Sequence, residues 1–560
     1  MSVVKRLNSE ESSYGMGTRL TYAAQRELRL PKNCNLYPIV VYLLSFEVLY
    51  SYSRIYHVAV GSYGARDYES SYQSLSSKGI SVNSMFPNFC KTTCLPSQKR
   101  CSILAFIVLS MSFCSHSSQA DNWPGWRGPT GSGVSTDTNL PLEWDSVKNI
   151  RWKVRLPGPS NSTPIVWENK VFLNQATKEG DRQLHCYNRL TGEFIWKKSV
   201  PAEYREPKHP ANPYCQASPV TDGERVINFY GSPGIYCYDL DGKKLWHRKF
   251  GKLDHMFGQG PSPVIYKDLC IMIYGPSTEE YVIALNKKTG ETVWKMDIPK
   301  PRIPLEVMER LRQMGRKKRK SPGKKSKTTN GEAAGKQKKK RQKRPPLGST
   351  RATNPGGIWA TPLIVRVHDR DEMIMSFPHV VAAYDPATGK QLWECKGNSY
   401  QILASPCFGD GLLAVTGGAE MVLRIGGQGD VTKKNRLWYR EQGKGCIGSA
   451  VIFQGHIYFQ DMRGIMYCYE LKTGKTVWRK RLANAGRSQG SWSSVMLGDG
   501  KIYAINKSGD VFVMKAAPKF VLLATNSFGE GETTNASIIA AHGDLFVRTD
   551  KALWCVRSQK

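Results

Sequence analysis

The chain alternates short apolar runs with polar turns that contain glycine, a pattern typical of β-strands joined by tight hairpins. The apolar run at residues 465–469 precedes Thr473-Gly474, and Val477-Trp478 begins the next run. Glycine adopts at low cost the positive φ that such turns need. The same Thr/Asp-Gly-x-x-x-Trp spacing recurs at four other places, so the five tryptophans of the pattern are Trp196, Trp246, Trp294, Trp393 and Trp478. One hairpin repeated five times predicts a repeat protein.

A second mark gives the number of repeats. Each repeat begins with a serine or threonine, often followed by proline, and continues as a strand-like run. The eight marks are Thr163, Ser218, Ser262, Thr361, Ser405, Ser449, Ser494 and Ser537. Apart from two longer gaps, the marks are about 44 residues apart, within the ~40–50 residues of a propeller blade. The sequence therefore predicts an all-β fold, an eight-bladed β-propeller of four-stranded antiparallel blades.

The eighth repeat is one strand short. It contains strand-like runs only up to Val556, whereas residues 149–156, around Trp152, form a strand-like run before the first mark. Closing a propeller removes the unpaired edge that an open sheet would leave. We therefore predict that this N-terminal strand closes the ring, and that residues 121–560 form one propeller domain.

The residues before the propeller contain a secretory signal in an unusual place. Basic residues up to Arg100 precede an apolar run at 101–113, and Ser118-Gln119-Ala120 supplies the small residues of a cleavage site. Such signals work at an N-terminus, and Met85 would place this one correctly. We interpret residues 1–84 as a mis-assigned, disordered extension, residues 85–120 as a signal peptide and Asp121 as the mature start. The alternatives are an uncleaved anchor at residues 101–113 and, more weakly, a lipid attached to Cys114.

The net charge of +34 is concentrated in one insertion between the third and fourth marks. Residues 316–344 hold 15 Lys or Arg and a single acid, Glu332, and residues 305–314 have helical spacing. High charge with few apolar residues predicts disorder over about residues 301–350. In an exported protein we expect such a loop to contact anionic lipid, polysaccharide or an acidic protein, and a nucleic-acid partner is not expected. A merely solvated loop is the alternative.

The Ser/Thr-Pro openings, the Thr-Gly-x-x-x-Trp hairpins and the segment Trp123-Pro-Gly-Trp-Arg-Gly-Pro129 resemble those of the PQQ-like (pyrroloquinoline-quinone-like) β-propeller repeat proteins. The nearest subgroup is the BamB type, which are eight-bladed periplasmic scaffolds of outer-membrane β-barrel assembly. In quinoprotein dehydrogenases of this fold, the repeat tryptophans dock between neighbouring blades. The resemblance therefore implies a structural docking role for Trp196, Trp246, Trp294, Trp393, Trp438 and Trp478.

Ligands of a propeller are expected at the mouth of its central channel, because the innermost strand of each blade lines the axis. The residue two positions before each mark should face that mouth, and the candidate ligand-binding residues are Asn161, Gln216, Trp359, Trp492 and Asn535. Aromatic rings and amides in this arrangement suit a peptide or a sugar. The alternative is a plugged, solvated channel.

The sequence contains none of the features that the resemblance would require of a quinone enzyme. Adjacent cysteines are absent, no residue maps onto a catalytic aspartate or onto calcium ligands, and no C-x-x-C metal pair occurs. We therefore predict an exported, monomeric, non-enzymatic scaffold of the periplasm or cell envelope that binds an envelope protein or a polysaccharide, without cofactor, catalytic residue or metal. A PQQ- and calcium-dependent oxidoreductase is the alternative.

Overall fold

The computed structural model describes residues 122–255, 257–277, 279–298, 357–482 and 490–558. The predicted extension, the signal peptide, Asp121 and the basic insertion at about residues 301–350 lie outside these residues. Within them, strands dominate and the single helix is four residues long. No helix in this part of the chain is long and apolar enough to cross a membrane.

The first strand of the chain stands apart from the blades that follow it in sequence: it is β1 (Ile150–Arg155). Blades 1 to 4 then follow in order, each built of strands A to D from the channel outwards. Blade 1 contains β2 (Ile165–Trp167), β3 (Lys170–Ala176), β4 (Arg182–Asn188) and β5 (Phe194–Val200); blade 2 contains β6 (Val220–Thr221), β7 (Arg225–Phe229), β8 (Ile235–Asp239) and β9 (Lys244–Arg248). Blade 3 contains β10 (Val264–Tyr266), β11 (Leu269–Tyr274), β12 (Tyr281–Asn286) and β13 (Thr292–Asp297); blade 4 contains β14 (Leu363–Val367), β15 (Arg370–Phe377), β16 (Val380–Tyr384) and β17 (Gln391–Lys396).

Blades 5 to 8 repeat the arrangement with one insertion. Blade 5 contains β18 (Cys407–Gly409), β19 (Leu412–Val415), β20 (Glu420–Arg424) and β22 (Arg436–Arg440), and β21 (Gly429–Asp430) and helix α1 (Thr432–Asn435) interrupt it between β20 and β22. Blade 6 contains β23 (Val451–Phe453), β24 (His456–Gln460), β25 (Ile465–Glu470) and β26 (Thr476–Arg481); blade 7 contains β27 (Met496–Gly498), β28 (Lys501–Ile505), β29 (Val511–Lys515) and β30 (Leu522–Asn526). Blade 8 contains β31 (Ile539–Ala541), β32 (Asp544–Arg548), β33 (Ala552–Val556) and, outermost, β1. The predicted all-β, eight-bladed propeller is confirmed.

Blade 8 closes the ring as predicted, because β1 pairs antiparallel with β33. Trp152 lies opposite Cys555 in this pairing, so residues at the two ends of the propeller share one sheet. The junction also holds a buried carboxylate, Asp544, whose oxygens lie 3.0 Å from Arg151, 3.5 Å from Arg189 and 2.5 Å from Arg557. Several guanidinium groups around one buried carboxylate compensate its loss of hydration. The ring is therefore closed by strand pairing and by charge together.

The eight hydroxyl marks form a continuous ring around the channel. The backbone N–H of each mark donates to the side-chain hydroxyl of the mark in the next blade, over 2.7–3.0 Å. The last of these bonds runs from Ser537 back to Thr163. A buried backbone N–H needs a partner, and the innermost strands have no further strand to provide one. This requirement explains why every repeat begins with serine or threonine.

The outer-strand tryptophans contact the next blade at its C–D hairpin. The indole N–H of five of the six predicted docking residues donates to a carbonyl there over 2.8–3.1 Å; the donors are Trp196, Trp246, Trp294, Trp438 and Trp478. Four of these rings lie directly over a hairpin glycine, such as Gly242 beneath Trp196, where a Cβ atom would collide with the ring. Trp152 on β1 makes the same contact with Gly192 and with the carbonyl of Arg189. Trp152 is thus a further docking tryptophan, beyond the six that the pattern gave.

Small residues lie opposite these tryptophans on strand C. Cys186 faces Trp196, Cys237 faces Trp246 and Cys468 faces Trp478, while Ala284 and Ala383 hold the same position in blades 3 and 4. The nine cysteines of the propeller are buried free thiols. Burial raises the pKa of Cys186 to about 12, so this thiol stays protonated and packs as a small apolar group.

Blade 4 departs from the docking pattern. Trp393 is fully buried and donates to the Glu372 carboxylate of its own blade over 2.7 Å. In blade 5 the connection between β20 and β22 is not a tight hairpin. It contains β21, which pairs parallel with β17 beside Trp393 and covers the outer edge of blade 4. Trp393 therefore does not contact a neighbouring hairpin as predicted. It forms a hydrogen bond within blade 4, and β21 of blade 5 packs over the strand that carries it.

Blade 7 has neither an outer tryptophan nor a Thr-Gly hairpin, and the chain before β1 covers it instead. The Trp144 amide donates to the Asn526 side chain over 2.8 Å, and the Asn526 amide donates to the Leu142 carbonyl over 3.0 Å. The Trp144 ring lies 6.2 Å from that of Phe528, which in turn lies 4.9 Å from that of Trp554. Aromatic packing from the N-terminal segment thus replaces the missing docking residue.

Residues 122–135, which we call the plug, fill one end of the channel. Trp123 exchanges two backbone hydrogen bonds of 2.9 Å with Val166 on β2, and the segment at Gly133 pairs in a similar way with Leu497 on β27. Arg127 is buried, and its guanidinium donates to the carbonyls of Val495 and Ala450 at 2.7 Å and to that of Ser132 at 2.9 Å. The end of the channel at the turns between strands A and B, where the plug lies, is called the lower mouth. The opposite end, where the chain enters strand A of each blade, is called the upper mouth.

Candidate functional site

The upper mouth brings three of the candidate amides together. The Asn161 amide donates to the Ala211 carbonyl over 3.2 Å and to the Asn212 side chain over 2.8 Å. The Asn535 amide, from the other end of the chain, donates to the same Ala211 carbonyl over 3.2 Å. Gln216 donates weakly to the Asn212 carbonyl over 3.4 Å. Amides from blades 8, 1 and 2 therefore meet at one loop, residues 209–212.

A second loop lies beside the first and involves the fourth candidate. The Trp359 indole N–H donates to the Gly258 carbonyl over 3.1 Å. Trp359 also makes edge contacts with His255 and Phe257, at ring separations of 5.3 and 6.2 Å, and Phe257 lies 5.2 Å from His209. We call residues 209–212, His255 and residues 257–258 together the cap. The cap covers the part of the upper mouth that lies nearest Asn161, Gln216, Trp359 and Asn535.

The loop that leads into the cap is attached by a buried ion pair. Arg182 and Glu206 lie 2.7 Å apart, and their side chains are 1% and 10% exposed. The Arg182 guanidinium lies 3.8 Å from the centre of the Tyr214 ring, whose hydroxyl donates to the Glu206 carbonyl over 2.8 Å. A guanidinium that is both paired and stacked on a ring is well compensated for burial. These contacts fix the two ends of the loop to blade 1.

Some polar atoms of the mouth lack partners. The side-chain oxygens of Gln216 and Asn535 are buried and make no hydrogen bond to any described residue. Buried amide oxygens usually accept at least one hydrogen bond, so each of these atoms can accept one from a ligand or from water. Burial lowers the pKa of His255, against the opposing effect of the Asp254 carboxylate, and the ring accepts a hydrogen bond from the Phe257 amide at Nδ1. His255 is therefore neutral at neutral pH.

The fifth candidate, Trp492, lies away from the cap, in the sector of the mouth that belongs to blades 5 to 7. The Lys507 ammonium lies 4.2 Å from the centre of the Trp492 ring, and burial lowers the pKa of Lys507. Lys507 forms no ion pair with any residue that the structure describes. Leu403 and Ile447, at the equivalent positions of blades 5 and 6, are partly exposed. This sector, which we call the open half, thus presents an aromatic face, aliphatic side chains and one uncompensated positive charge.

The residues that the structure describes at the upper mouth do not form a ligand set for calcium. Calcium takes six to eight oxygen ligands, usually including carboxylates. The described residues contain no group of three or more His, Cys, Asp or Glu side chains that could hold a metal ion. We therefore derive no chemical step through such a cofactor.

Several residues of the mouth escaped the sequence reasoning. From the sequence we selected the residue two positions before each hydroxyl mark, which is one residue in each blade. This rule could not identify the cap, because the cap loops differ in length and do not repeat from blade to blade. Ala211, Phe257 and Lys507 belong to such loops. The length of the gap between Thr163 and Ser218, about 11 residues over the period, was the available signal for the first cap loop. The six docking tryptophans lie on the outer strands and not at the mouth.

Comparison with solved structures bears on the fold. Solved structures similar to the chain include BamB from Moraxella catarrhalis, at 12% identity over 73% of this chain and 97% of that one, with a TM-score of 0.47. They also include a europium-containing methanol dehydrogenase, at 13% identity over 76% and 88% with a TM-score of 0.52, and the quinohemoprotein alcohol dehydrogenase from Comamonas testosteroni, at 12% over 78% and 81% with a TM-score of 0.51. At these identities the likeness shows the fold alone. No curated protein matches the chain.

The family comparison is more specific. The model of the family described as outer membrane protein assembly factor BamB matches residues 175–316 and 353–560, which is more than half of the chain. The matched residues run from β3 to the end of the chain, outside residues 317–352 in the basic insertion. The protein therefore belongs to the PQQ-like β-propeller family described as outer membrane protein assembly factor BamB.

Proposed function

We propose that this protein is an exported binding scaffold of the cell envelope, which holds a partner protein or a polysaccharide at its upper mouth. The observation that carries the proposal is the chemistry of that mouth: the open half presents the Trp492 ring, and the part beneath the cap holds Trp359 and three amides. Aromatic faces and amides bind sugars and peptides by stacking and hydrogen bonding. They provide no nucleophile with an adjacent base, which covalent catalysis requires.

Family membership supports the location and the kind of partner. The family description names outer-membrane protein assembly, and assembly factors act by contact with other proteins. Both ends of the basic insertion join the upper face, since Ile298 follows β13 and Gly357 leads to Trp359. An insertion whose residues 316–344 carry an excess of 14 positive charges, and whose two ends join the face that binds the partner, would favour an anionic surface. Its contribution should weaken as salt increases.

A direct test uses substitutions in the open half. The double variant W492A/K507A should lose at least tenfold in affinity for partners captured from an envelope fraction, measured by quantitative pull-down. The control is Lys475→Ala, which also removes a lysine but lies on the exposed hairpin of blade 6. Both variants should keep the melting temperature of the unmodified protein within a few degrees. Equal capture by W492A/K507A and the unmodified protein would contradict the proposal.

The alternative function, a PQQ-dependent oxidoreductase, has a separate test. Two of the similar structures are alcohol dehydrogenases. The purified protein should be incubated with PQQ and calcium and assayed for dye-linked oxidation of alcohols and sugars. We expect no turnover above that of a heat-denatured control. Turnover that depends on both additions would replace the scaffold by an enzyme.

A further inference from the structure

The innermost strands of a propeller leave their backbone groups unpaired on the side that faces the axis. In this protein the plug supplies the missing partner at three blades. Val166 on β2 and Leu497 on β27 each exchange two backbone hydrogen bonds with the plug, and the Thr221 amide on β6 donates to the Pro124 carbonyl over 2.8 Å. The chain itself therefore shows how these inner edges bind an extended segment.

The inner edge of blade 3 has the same geometry without the partner. Tyr266 pairs with Leu269 at the end of the A–B hairpin, as Trp167 pairs with Lys170 in blade 1. This register directs the N–H and C=O of Ile265 towards the axis, as it directs those of Val166. No described residue forms a backbone hydrogen bond with Ile265 on that side.

Exposure distinguishes this edge from the paired ones. All three residues of β10 are partly exposed, whereas β27 is buried along its whole length and β2 over two of its three residues. An exposed edge with free donors and acceptors is a template for another strand. The plug passes β10 without pairing, and β10 also borders a cavity; β31 of blade 8, which has no backbone hydrogen bond to the plug either, is buried along its whole length.

A cavity of about 270 Å³ lies between this edge and the plug. Its walls are mainly apolar and include Trp126, Trp167, Val220, Pro362 and Ile364. Its single charged lining residue is Arg127, whose guanidinium is already bonded to three carbonyls. At ~30 Å³ for each water in the liquid, the volume corresponds to about nine waters, enough for two or three small side chains.

We propose that the inner edge of β10 binds a short extended segment of a partner protein, with uncharged aliphatic or β-branched residues, by strand addition. The backbone of the segment pairs with Ile265, and its side chains enter the cavity beside Trp126. Addition of a strand to a free edge gives affinity through the main chain and specificity through alternate side chains. The apolar, uncharged lining selects against charged segments, because a charge there would lose its hydration without a counter-ion. The site extends the proposed scaffold role to the opposite face, and it rests on that role for the existence of a protein partner.

The test begins with the unmodified full chain and defined probes. The probes are fluorescein-labelled five-residue peptides that alternate Thr with Val, Ile or Ala and are blocked by acetyl and amide groups. We expect saturable binding in fluorescence polarisation. We also expect at least a tenfold loss of affinity when alternate amides are N-methylated, because N-methylation removes the donors of one peptide edge. Equal affinity for methylated and unmethylated peptides would overturn the proposal, as would the absence of saturable binding to the whole panel.

Two variants locate the site. Ile265→Pro removes the inner-edge N–H of an edge strand, where proline is tolerated, and should lower peptide affinity at least tenfold. Ile265→Val keeps that N–H, and its peptide affinity should stay within twofold of that of the unmodified protein. If Ile265→Pro does not fold, Trp126→Ala, which removes one wall of the cavity, should give a loss of at least fivefold. Undiminished peptide binding by both the Ile265→Pro and the Trp126→Ala variants would overturn the assignment.

Sedimentation equilibrium of the unmodified protein addresses the competing occupant, a second copy of this chain. Concentration-dependent dimers that the peptides dissociate would overturn the proposal of a foreign segment, whereas a monomer that still binds peptide supports it. Failure of these peptide experiments leaves the upper-mouth variants W492A/K507A unaffected, so the two proposals fail separately.

Discussion

The two mouths of the channel are closed by different means. The lower mouth holds the plug, which forms backbone pairs with strands A and buries the Arg127 guanidinium among three carbonyls. The upper mouth is covered in part by the cap, which is held mainly by side-chain amides and ring contacts of partly exposed residues. Backbone pairing in a buried place opens only with a large part of the fold, while contacts at a surface loop open locally. The comparison indicates that the plug at the lower mouth stays in place as long as the ring is folded, whereas the cap at the upper mouth can open locally.

The largest expected effect comes from the lower mouth. Arg127→Ala leaves three buried carbonyls without a donor, and each charged hydrogen bond of this kind is worth ~1.5–3 kcal/mol. We expect the free energy of unfolding to fall by about 3 kcal/mol or more, measured by denaturant titration. Burial lowers the pKa of Arg127 to about 10, so the group is charged at neutral pH and its hydrogen bonds are charge-assisted.

The control for this variant is Arg155→Ala, because Arg155 is exposed on β1. It should change the free energy of unfolding by less than about 0.5 kcal/mol, as most surface substitutions do. The free energy of unfolding of Arg127→Lys should lie between those of Arg127→Ala and Arg155→Ala, since one ammonium cannot replace all the hydrogen bonds of a planar guanidinium. If Arg127→Ala and Arg155→Ala had the same free energy of unfolding, the buried hydrogen bonds of the plug would not stabilise the lower mouth, and the contrast between the two mouths would not hold.

The parts of this architecture that repeat could be predicted from sequence. The hydroxyl marks serve one hydrogen-bonded ring, so each blade needs one and the count of eight follows directly. The closing strand was predictable from the missing strand of blade 8. Trp152 was not recognised as a docking residue, because its strand comes from the other end of the chain and no hairpin of its own repeat precedes it.

The features without repeats could not be predicted. The plug was visible only as a stiff aromatic segment, and its contacts with Val495 and Ala450 join residues more than 300 positions apart. The cover of Trp393 by β21 likewise depends on a loop that no other blade has. At the upper mouth, the offset from the marks gave positions just before strand A, but the cap that contacts four of them belongs to irregular loops. Local pattern gives elements that recur, whereas contacts between loops depend on the assembled ring.

A second prediction concerns the attachment of the cap. Glu206→Gln leaves the Arg182 guanidinium, which is 1% exposed, without a counter-charge. Loss of one partner of a buried pair costs up to ~3–5 kcal/mol, less here because Tyr214 still stacks on the guanidinium. We expect faster hydrogen exchange at residues 209–212, with a smaller loss of global stability than for Arg127→Ala.

The same loop contains a matched control for this experiment. Glu203 pairs with Lys249 at 2.6 Å, but the two side chains are 71% and 49% exposed. Glu203→Gln should leave exchange at the cap unchanged, because water and salt screen an exposed ion pair, which then contributes little to stability. If exchange at residues 209–212 is the same in both variants, the Arg182–Glu206 pair does not hold the cap.

A third prediction is that acid opens the cap. Burial lowers the pKa of His255 below its ordinary value of about 6.5. The cap contacts of His255 are therefore fully stabilising above about pH 6.5 and weaken as the pH falls below it, because only the opened cap takes up the proton readily. Hydrogen exchange at Gly258, corrected for the intrinsic effect of pH, should accelerate between pH 7.5 and 5.5. His255→Gln should abolish this acceleration, and an unchanged pH dependence in that variant would assign it to another group.

The smallest effect is expected in the open half of the upper mouth. Lys507→Met removes a cation–π contact worth ~0.5–1 kcal/mol at exposed sites, but it also removes the burial cost that lowers the pKa of the ammonium. These terms oppose each other, so we expect the melting temperature to change by no more than about 2 °C. The local charge should change more than the stability. Iodide, an anion, should quench Trp492 less in Lys507→Met, while neutral acrylamide should quench it equally in both proteins.

The signal of Trp492 is obtained by subtraction of the spectrum of Trp492→Phe, since the chain has 14 tryptophans. Raised salt should reduce the difference between the two proteins, because mobile ions screen the ammonium over ~8 Å at physiological ionic strength. An equal loss of iodide and acrylamide quenching would instead mean that the substitution closes access to the ring. In that case the open half would be covered like the rest of the mouth, and the contrast between a capped and an open sector would no longer hold.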